Sequence, residues 1–366
     1  PSHAMHHVAL GDRISRVWRV TIGAGNSRER RLTATPVVAA GVVYAMDTNS
    51  EVSAYSAGDG RQLWRRSMAP AFEERGAIGG GVGYAGGTLF VATAYGELVA
   101  LDAESGATIW TTAIGIPLRG APTIDAGRVF VLSHDNQLHA ADAATGAILW
   151  SHVGIQEVAG LVGGASAAVV GDLAIAPYTS GEIFALRPEN GRVAWSDSLS
   201  RTGRLTALAE ISDIAGLPVI DRGLAIVVGH AGRMAAIDVR SGTGVWELDL
   251  ASVQSPWVAG QFIFAVTVNG EAVAVSRSDG RVRWVHQLPR FENEAAREDP
   301  IQWEGPVLAG DRLVFASSAG EVTALSPYDG RLLGTLRLGG GVSVAPIVAD
   351  ETLYILDDRG VLHAFR

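Results

Sequence analysis

Cysteine is absent from all 366 residues. That excludes disulfides, thiolate catalysis and Cys-ligated zinc. Lysine is absent too, so all 29 basic residues are arginine. A Walker phosphate loop needs a Gly-Lys-Ser/Thr end, and Schiff-base chemistry needs a lysine; neither is available. No apolar run reaches the roughly 18 residues of a membrane-spanning helix. No secretory leader opens the chain, which reads as cytoplasmic or already trimmed. Basic residues are outnumbered by 38 acids, for a net charge of −9. That is the wrong sign for a nucleic-acid face, which displaces counterions with Lys and Arg. It suits a basic or mixed-charge protein partner.

What the chain does have is a repeat. "ALDAESGATIW" (100–110) returns as "AADAATGAILW" (140–150). In each copy a glycine stands four residues before a tryptophan. Gly60/Trp64, Gly106/Trp110, Gly146/Trp150, Gly191/Trp195, Gly242/Trp246 and Gly280/Trp284 all fit, and a seventh copy keeps Gly330 but has Gly334 in the tryptophan place. A period of about 45 residues with strand-like content is the signature of a β-propeller, one four-stranded blade per repeat. Within a repeat, runs of β-branched, aromatic or Ala/Leu residues alternate with glycine turns. Middle turns recur eight times, from Asn49-Ser50 to Arg359-Gly360, and an alanine recurs in the third strand from Ala54 to Ala364. The fold expected is all-β: one eight-bladed propeller of antiparallel blades across 1–366. The last repeat supplies only three strands before Arg366. Its missing outer strand is expected in 12–22, behind an N-terminal tail of 1–11, where Trp18 occupies the repeat position. That strand closes the ring and removes an exposed sheet edge. The repeated tryptophans, Trp18, Trp64, Trp110, Trp150, Trp195, Trp246 and Trp284, are expected to pack on the neighbouring blade.

Side-chain constellations for catalysis are missing. There is no G-x-S-x-G elbow and no H-E-x-x-H motif. Of the nine histidines, only His3, His6 and His7 cluster, in the N-terminal tail; His134 and His139 flank one turn without a third ligand nearby. Glu73-Glu74 and Glu292/Glu294 read as solvated loop carboxylates. No catalytic residue, cofactor-binding residue or metal ligand is assigned, and the chain is expected not to be an enzyme.

The pattern A-x-D-x-x-T-G-x-x-x-W resembles the repeat of pyrroloquinoline-quinone-dependent dehydrogenases and their cofactor-free relatives. Among those, the chain is most similar to the BamB family of the bacterial outer-membrane β-barrel assembly machinery. The likeness runs through the length, the eightfold count, the split last blade and "SLSRTGRLTALAEISDIAGLPV" before the fifth blade. Family members carry a Ser-Asp there, matched by Ser212-Asp213. A second acid two residues on is replaced by Ala215, and an arginine of the preceding connection by Val162. The resemblance implies a non-catalytic scaffold with no cofactor. It implies a BamA-type assembly protein, through its periplasmic repeats, as partner, and unfolded outer-membrane proteins as a second class of partner. It also implies the periplasmic face of the outer membrane as the location, with a lipid-bearing Cys upstream of residue 1 as the only tie to the membrane.

Loop lengths locate the partner. In a four-stranded blade the inter-blade connection and the middle turn share a face. Those connections carry nearly all the variation in repeat length. The longest spacing lies between Gly191 and Gly242, and binding function concentrates on such loops. The expected partner-binding residues are Leu161, Arg204, Leu205, Glu210 and Asp213. A second group is Phe291 and Trp303, apolar anchors rimmed by Arg290, Arg297, Glu298 and Asp299. Asp213 also reads as a turn-capping residue. Two other functions stay open. One is a periplasmic ligand- or glycan-binding propeller. The other is a dehydrogenase relative, although that family's vicinal disulfide cannot form without cysteine.

Overall fold

The computed structural model describes residues 14–70, 78–155, 164–199 and 214–366. Among them are strands and turns, with no helix. They form eight four-stranded antiparallel sheets and one two-stranded hairpin. The sheets follow chain order as blades 1 to 7, at 37–67, 80–113, 123–153, 168–198, 219–249, 257–287 and 303–337. Blade 8 joins 347–365 to the strand Arg16–Thr21. The chain divides into two compact units: residues 68–255 hold blades 2 to 5, and 3–67 with 256–366 hold blades 1, 6, 7 and 8.

The register explains the repeated sequence. In seven blades the third-strand alanine lies directly opposite the outer-strand tryptophan, as in Ala100↔Trp110 and Ala140↔Trp150. On its other side the alanine faces a second-strand residue, Phe90 or Phe130 in these two blades. A methyl between two rings lets the tryptophan lean across it, and the Phe90–Trp110 and Phe130–Trp150 centroids are 5.9 and 6.0 Å apart. Tyr44–Trp64, Phe264–Trp284 and Trp18–Tyr354 repeat the arrangement. The recurrent alanine is thus small because a large ring crosses over it. The register shifts immediately after the alanine in each of these pairs, a bulge that adds local twist.

The turn glycine and the tryptophan serve each other across adjacent blades of one unit. Gly191 has φ +71°, and a Cβ on it would sit 2.7 Å from Cε3 of Trp150 in the preceding blade. The Trp150 indole N–H donates to the Pro188 carbonyl of that same turn at 2.8 Å. Trp18, Trp110, Trp195 and Trp284 make the equivalent bond to Ala57, Ala143, Val239 and Pro327. The glycine therefore answers two demands, a left-handed backbone and a ring lying flat on it. The turns are closed by their leading polar residue. Asp142 accepts from the Thr145 amide and hydroxyl, both at 2.8 Å. Those bonds from Thr145 hold its carboxyl below the usual range.

Hydrophobic clusters form where neighbouring blades face each other. Ile175, Ile183, Ile226's neighbour Val227 and Ile237 belong to one such cluster in the first unit. Ile22, Tyr55, Tyr354 and Leu362 belong to another in the second. The strand Arg16–Thr21 pairs with Val361–Phe365, with Trp18 opposite Ala364. The Ser15 amide donates to the Arg366 carbonyl at 2.7 Å and the Arg366 amide to Ser15 at 3.0 Å.

Blade 7 is the exception that the same geometry explains. Gly334 stands opposite Ala324 where a tryptophan would be. A tryptophan there would need a turn glycine on the next blade. Blade 8 has no such turn, because its third and fourth strands come from opposite ends of the sequence. A Cβ on Gly334 would meet nothing within 4 Å. Gly334→Trp is accordingly expected to fold normally without raising Tm, as a thermal melt of the variant would show. A gain equal to the loss from removing a repeat tryptophan would contradict the pairing of ring with turn.

Candidate partner-binding loops

The middle turns and the inter-blade connections are tied together by hydrogen bonds, so the loops are held by the blades. In blade 1 the buried Asp47 accepts from the amides of Asn49 and Glu51 within its own turn, and from Ala24 of the incoming connection, each at 2.8 Å. One carboxylate thus fixes both. In blade 8 the equivalent Asp357 is fully buried and takes bonds from Val361 N, from Arg359 and from His363 Nε2 at 3.1 Å. Burial opposes its ionisation, but the bonds from His363 and Arg359 outweigh it and keep it below the usual carboxylate range.

Five of the expected binding residues, Leu161, Arg204, Leu205, Glu210 and Asp213, lie outside the described residues, as do His3, His6, His7 and Glu73-Glu74. The backbone that leads into their loops is described. On the side of 156–163, Asn136 Nδ2 donates to the Ile155 carbonyl and to Thr179 Oγ1, both at 2.6 Å. Thr179 N returns a bond to Asn136 Oδ1. The Ile155 amide donates to Glu182, whose other contact is the Ser180 hydroxyl. Beside this network His152 Nδ1 meets the Tyr178 phenol at 2.8 Å. Burial pushes that phenol up, and the nearby Glu182 carboxylate adds to the shift.

The 200–213 loop leaves from Leu199 and returns at Ile214. Both are buried, at 1% and 0% exposure, in the same hydrophobic cluster of blades 4 and 5. The Leu199 amide is bonded to Gly181 O at 2.8 Å, and Arg233 reaches across to Ser198 O while pairing with Glu247. Ala215 is buried as well. A carboxylate at that position would have to be desolvated.

In the second unit the connection from blade 6 to blade 7 contains a hairpin, Phe291–Asn293 with Glu298–Pro300. Glu294 staples its base by accepting from the amides of Arg290 and Phe291. The Arg290 guanidinium lies 5.7 Å from the Phe291 ring centroid. Phe291 is half-buried, and Arg297, Glu298 and Asp299 are exposed around it. Trp303 differs from expectation. It is 5% exposed, packs with Phe264, Leu288 and Phe315, and donates its indole N–H to Pro289 O at 2.9 Å. It holds the hairpin down and offers no surface to a partner. The first strand of blade 7 starts at Trp303 and runs seven residues, against three in most other blades. The tryptophan is therefore part of a sheet.

The described residues hold no group of three or more His, Cys, Asp or Glu side chains placed for a metal ion. His139, buried, is bonded to Ser151 at 2.8 Å and to Ser133. Burial lowers its affinity for a proton, with Asp135 opposing.

A family model described as "Outer membrane protein assembly factor BamB" matches residues 48–286 and 290–366. The chain belongs to the BamB family. It is 31% identical over 355 residues to the outer membrane protein assembly factor BamB of Salmonella typhimurium, covering 95% of this chain and 88% of that one. The Escherichia coli K12 BamB is 29% identical, over 95% and 87% of the two chains. Among solved structures, BamB from Moraxella catarrhalis superposes with a TM-score of 0.82 at 19% identity, over 97% of this chain and all of the other. The fold is thus an eight-bladed β-propeller. A europium-containing methanol dehydrogenase shares that fold, with a TM-score of 0.75 at 16% identity over 97% and 86% of the chains. Its likeness extends to architecture alone. Membership of the BamB family carries a role in outer-membrane protein assembly.

Proposed function

We propose that this BamB-family propeller is a non-catalytic scaffold that binds the periplasmic repeats of a BamA-type barrel protein. It works at the periplasmic face of the outer membrane, held there by a lipid on a cysteine upstream of residue 1. The eight blades act as one domain. Contact runs through the 156–163 and 200–213 connections, centred on Leu161, Arg204, Leu205, Glu210 and Asp213, and the hairpin around Phe291 is the second contact. The observation that carries the reading is the anchoring of Leu199 and Ile214 in one buried cluster. Flanking residues fixed in a packed core give the connection between them a rigid base, and binding residues are commonly carried on connections set on such a scaffold.

Asp213→Arg is the test. It both removes a contact and places a like charge against a partner's complementary group, a change worth several kcal/mol at an interface. Affinity for purified BamA-type periplasmic repeats is expected to fall by about tenfold or more, with Tm unchanged. If Asp213 instead only caps its turn, Tm falls and affinity stays. Unchanged affinity in Asp213→Arg, Leu161→Asp and Arg204→Glu together would remove the site from these loops.

A further inference from the structure

We propose that a groove between blades 6 and 7, on the side of the short turns and away from the inter-blade connections, binds a short, flat, β-linked saccharide. The groove has a volume of about 630 Å³ and is lined by Gln261, Phe262, Arg283, Trp284, Tyr328 and Asp329, together with Ser276 and Ser278. It is built where the repeat is broken. The residue that opens the second strand is Val42, Thr88 or Leu224 in other blades and Phe262 here. The residue before the outer-strand tryptophan is aliphatic elsewhere, as in Ile109 and Leu149, and Arg283 here. The residue two before the glycine of the last turn is Gly58, Glu104 or Ala144 elsewhere and Tyr328 here. All three remain open to solvent: Tyr328 is 75% exposed, Phe262 is 37% exposed and Arg283 is also exposed. In a structure that repeats one blade eight times, three unrelated departures meeting in one groove mark a function that the repeat does not supply.

The chemistry of the lining selects the ligand. Phe262 is backed by Phe264 and Trp284, with centroids 6.2 and 6.1 Å apart along the row; Phe264 is buried and Gly330 lies against the Trp284 ring, so Phe262 is the open ring of the three. Tyr328 stands beside them from the adjoining blade, its phenol held by Asp311 at 2.8 Å. Exposed rings that are already fixed lose little freedom on binding and offer flat apolar faces. The polar groups between them are an amide, a guanidinium, a carboxylate and the hydroxyls of Ser276 and Ser278, all of which bond hydroxyls, two at a time in the first three cases. One cation and one acid in the lining favour a neutral ligand. A β-1,4-linked saccharide alternates apolar C–H faces with rims of hydroxyls and matches both features.

Saturation-transfer NMR of the full chain with cellotriose and with triacetylchitotriose tests this. At about 10 mM, within the range of weak sites, at least one of the two is expected to receive saturation. Three substitutions restore residues that other repeats tolerate: Phe262→Val, Arg283→Leu and Tyr328→Ala. Combined, they are expected to weaken binding by about tenfold or more and leave Tm unchanged. Tyr328→Phe, which keeps the ring, is expected to retain most of the binding. Transfer to neither saccharide, transfer undiminished in the triple variant, or transfer only to an aromatic tripeptide such as Gly-Phe-Gly would overturn the proposal.

Discussion

Gly191→Ala is expected to destabilise the protein by about 2–4 kcal/mol and Trp150→Ala by about 3–5 kcal/mol, but the two together by much less than their sum. Alanine at Gly191 must hold φ +71° and place its Cβ 2.7 Å from the Trp150 ring. The first demand costs about 1–2 kcal/mol for a non-glycine residue. The second forces a ring to move that is fixed by Phe130 at 6.0 Å and by its bond to Pro188. Trp150→Ala leaves a cavity and removes that bond, but it also frees the space over Gly191. In the Trp150→Ala background, Gly191→Ala should therefore cost only the backbone part. Denaturant melts of the four proteins measure the coupling, expected at about 1–3 kcal/mol. Simple additivity would mean that ring and glycine are each required for separate reasons.

Deleting residues 1–22 is expected to have the largest effect of all: insoluble or aggregated protein. The strand Arg16–Thr21 supplies the fourth strand of blade 8, and Trp18 lies over Gly60 of blade 1, where a Cβ would be 2.7 Å from the ring. Without that strand, Val361–Phe365 becomes an open edge ready to pair with another chain. Ile22, which is 1% exposed and belongs to the cluster of Tyr55, Tyr354 and Leu362, is lost as well. A circular permutant separates loss of the strand from movement of the termini. With Arg366 joined to Ser15 by a short turn and new ends opened at the exposed Glu104–Ser105, the strand is kept. It should be soluble with a cooperative melt. A soluble deletion variant with unchanged Tm would show that the strand is dispensable.

Much of this fold was legible because its signals are local and periodic. A glycine that must be left-handed and a tryptophan four residues on leave a mark in six repeats. The orphan Trp18 sufficed to place the closing strand. What was not legible depends on pairing between strands. Ala140 reads as filler until the register sets it opposite Trp150 and beside Phe130. Gly191 reads as a turn residue until the ring of another repeat lies on it. Trp303 was misread because charged neighbours suggested a loop, whereas the blade 7 strand begins there. The groove at Tyr328 escaped notice because each departure, at 262, 283 and 328, is unremarkable alone and only the fold brings them together. The residues expected to bind the partner lie mostly in 156–163 and 200–213, and the burial of Leu199 and Ile214 beside the second segment depends on cross-blade packing that no local pattern announces.

Purification of the tagged protein from native outer membranes in mild detergent is the most direct measurement of the central claim. The scaffold account predicts that a barrel protein with periplasmic repeats co-purifies in stoichiometric amount, and that Asp213→Arg reduces its recovery while the propeller stays folded. A folded propeller recovered without any such barrel, or one carrying a quinone absorbance together with dye-linked alcohol oxidation, would contradict it.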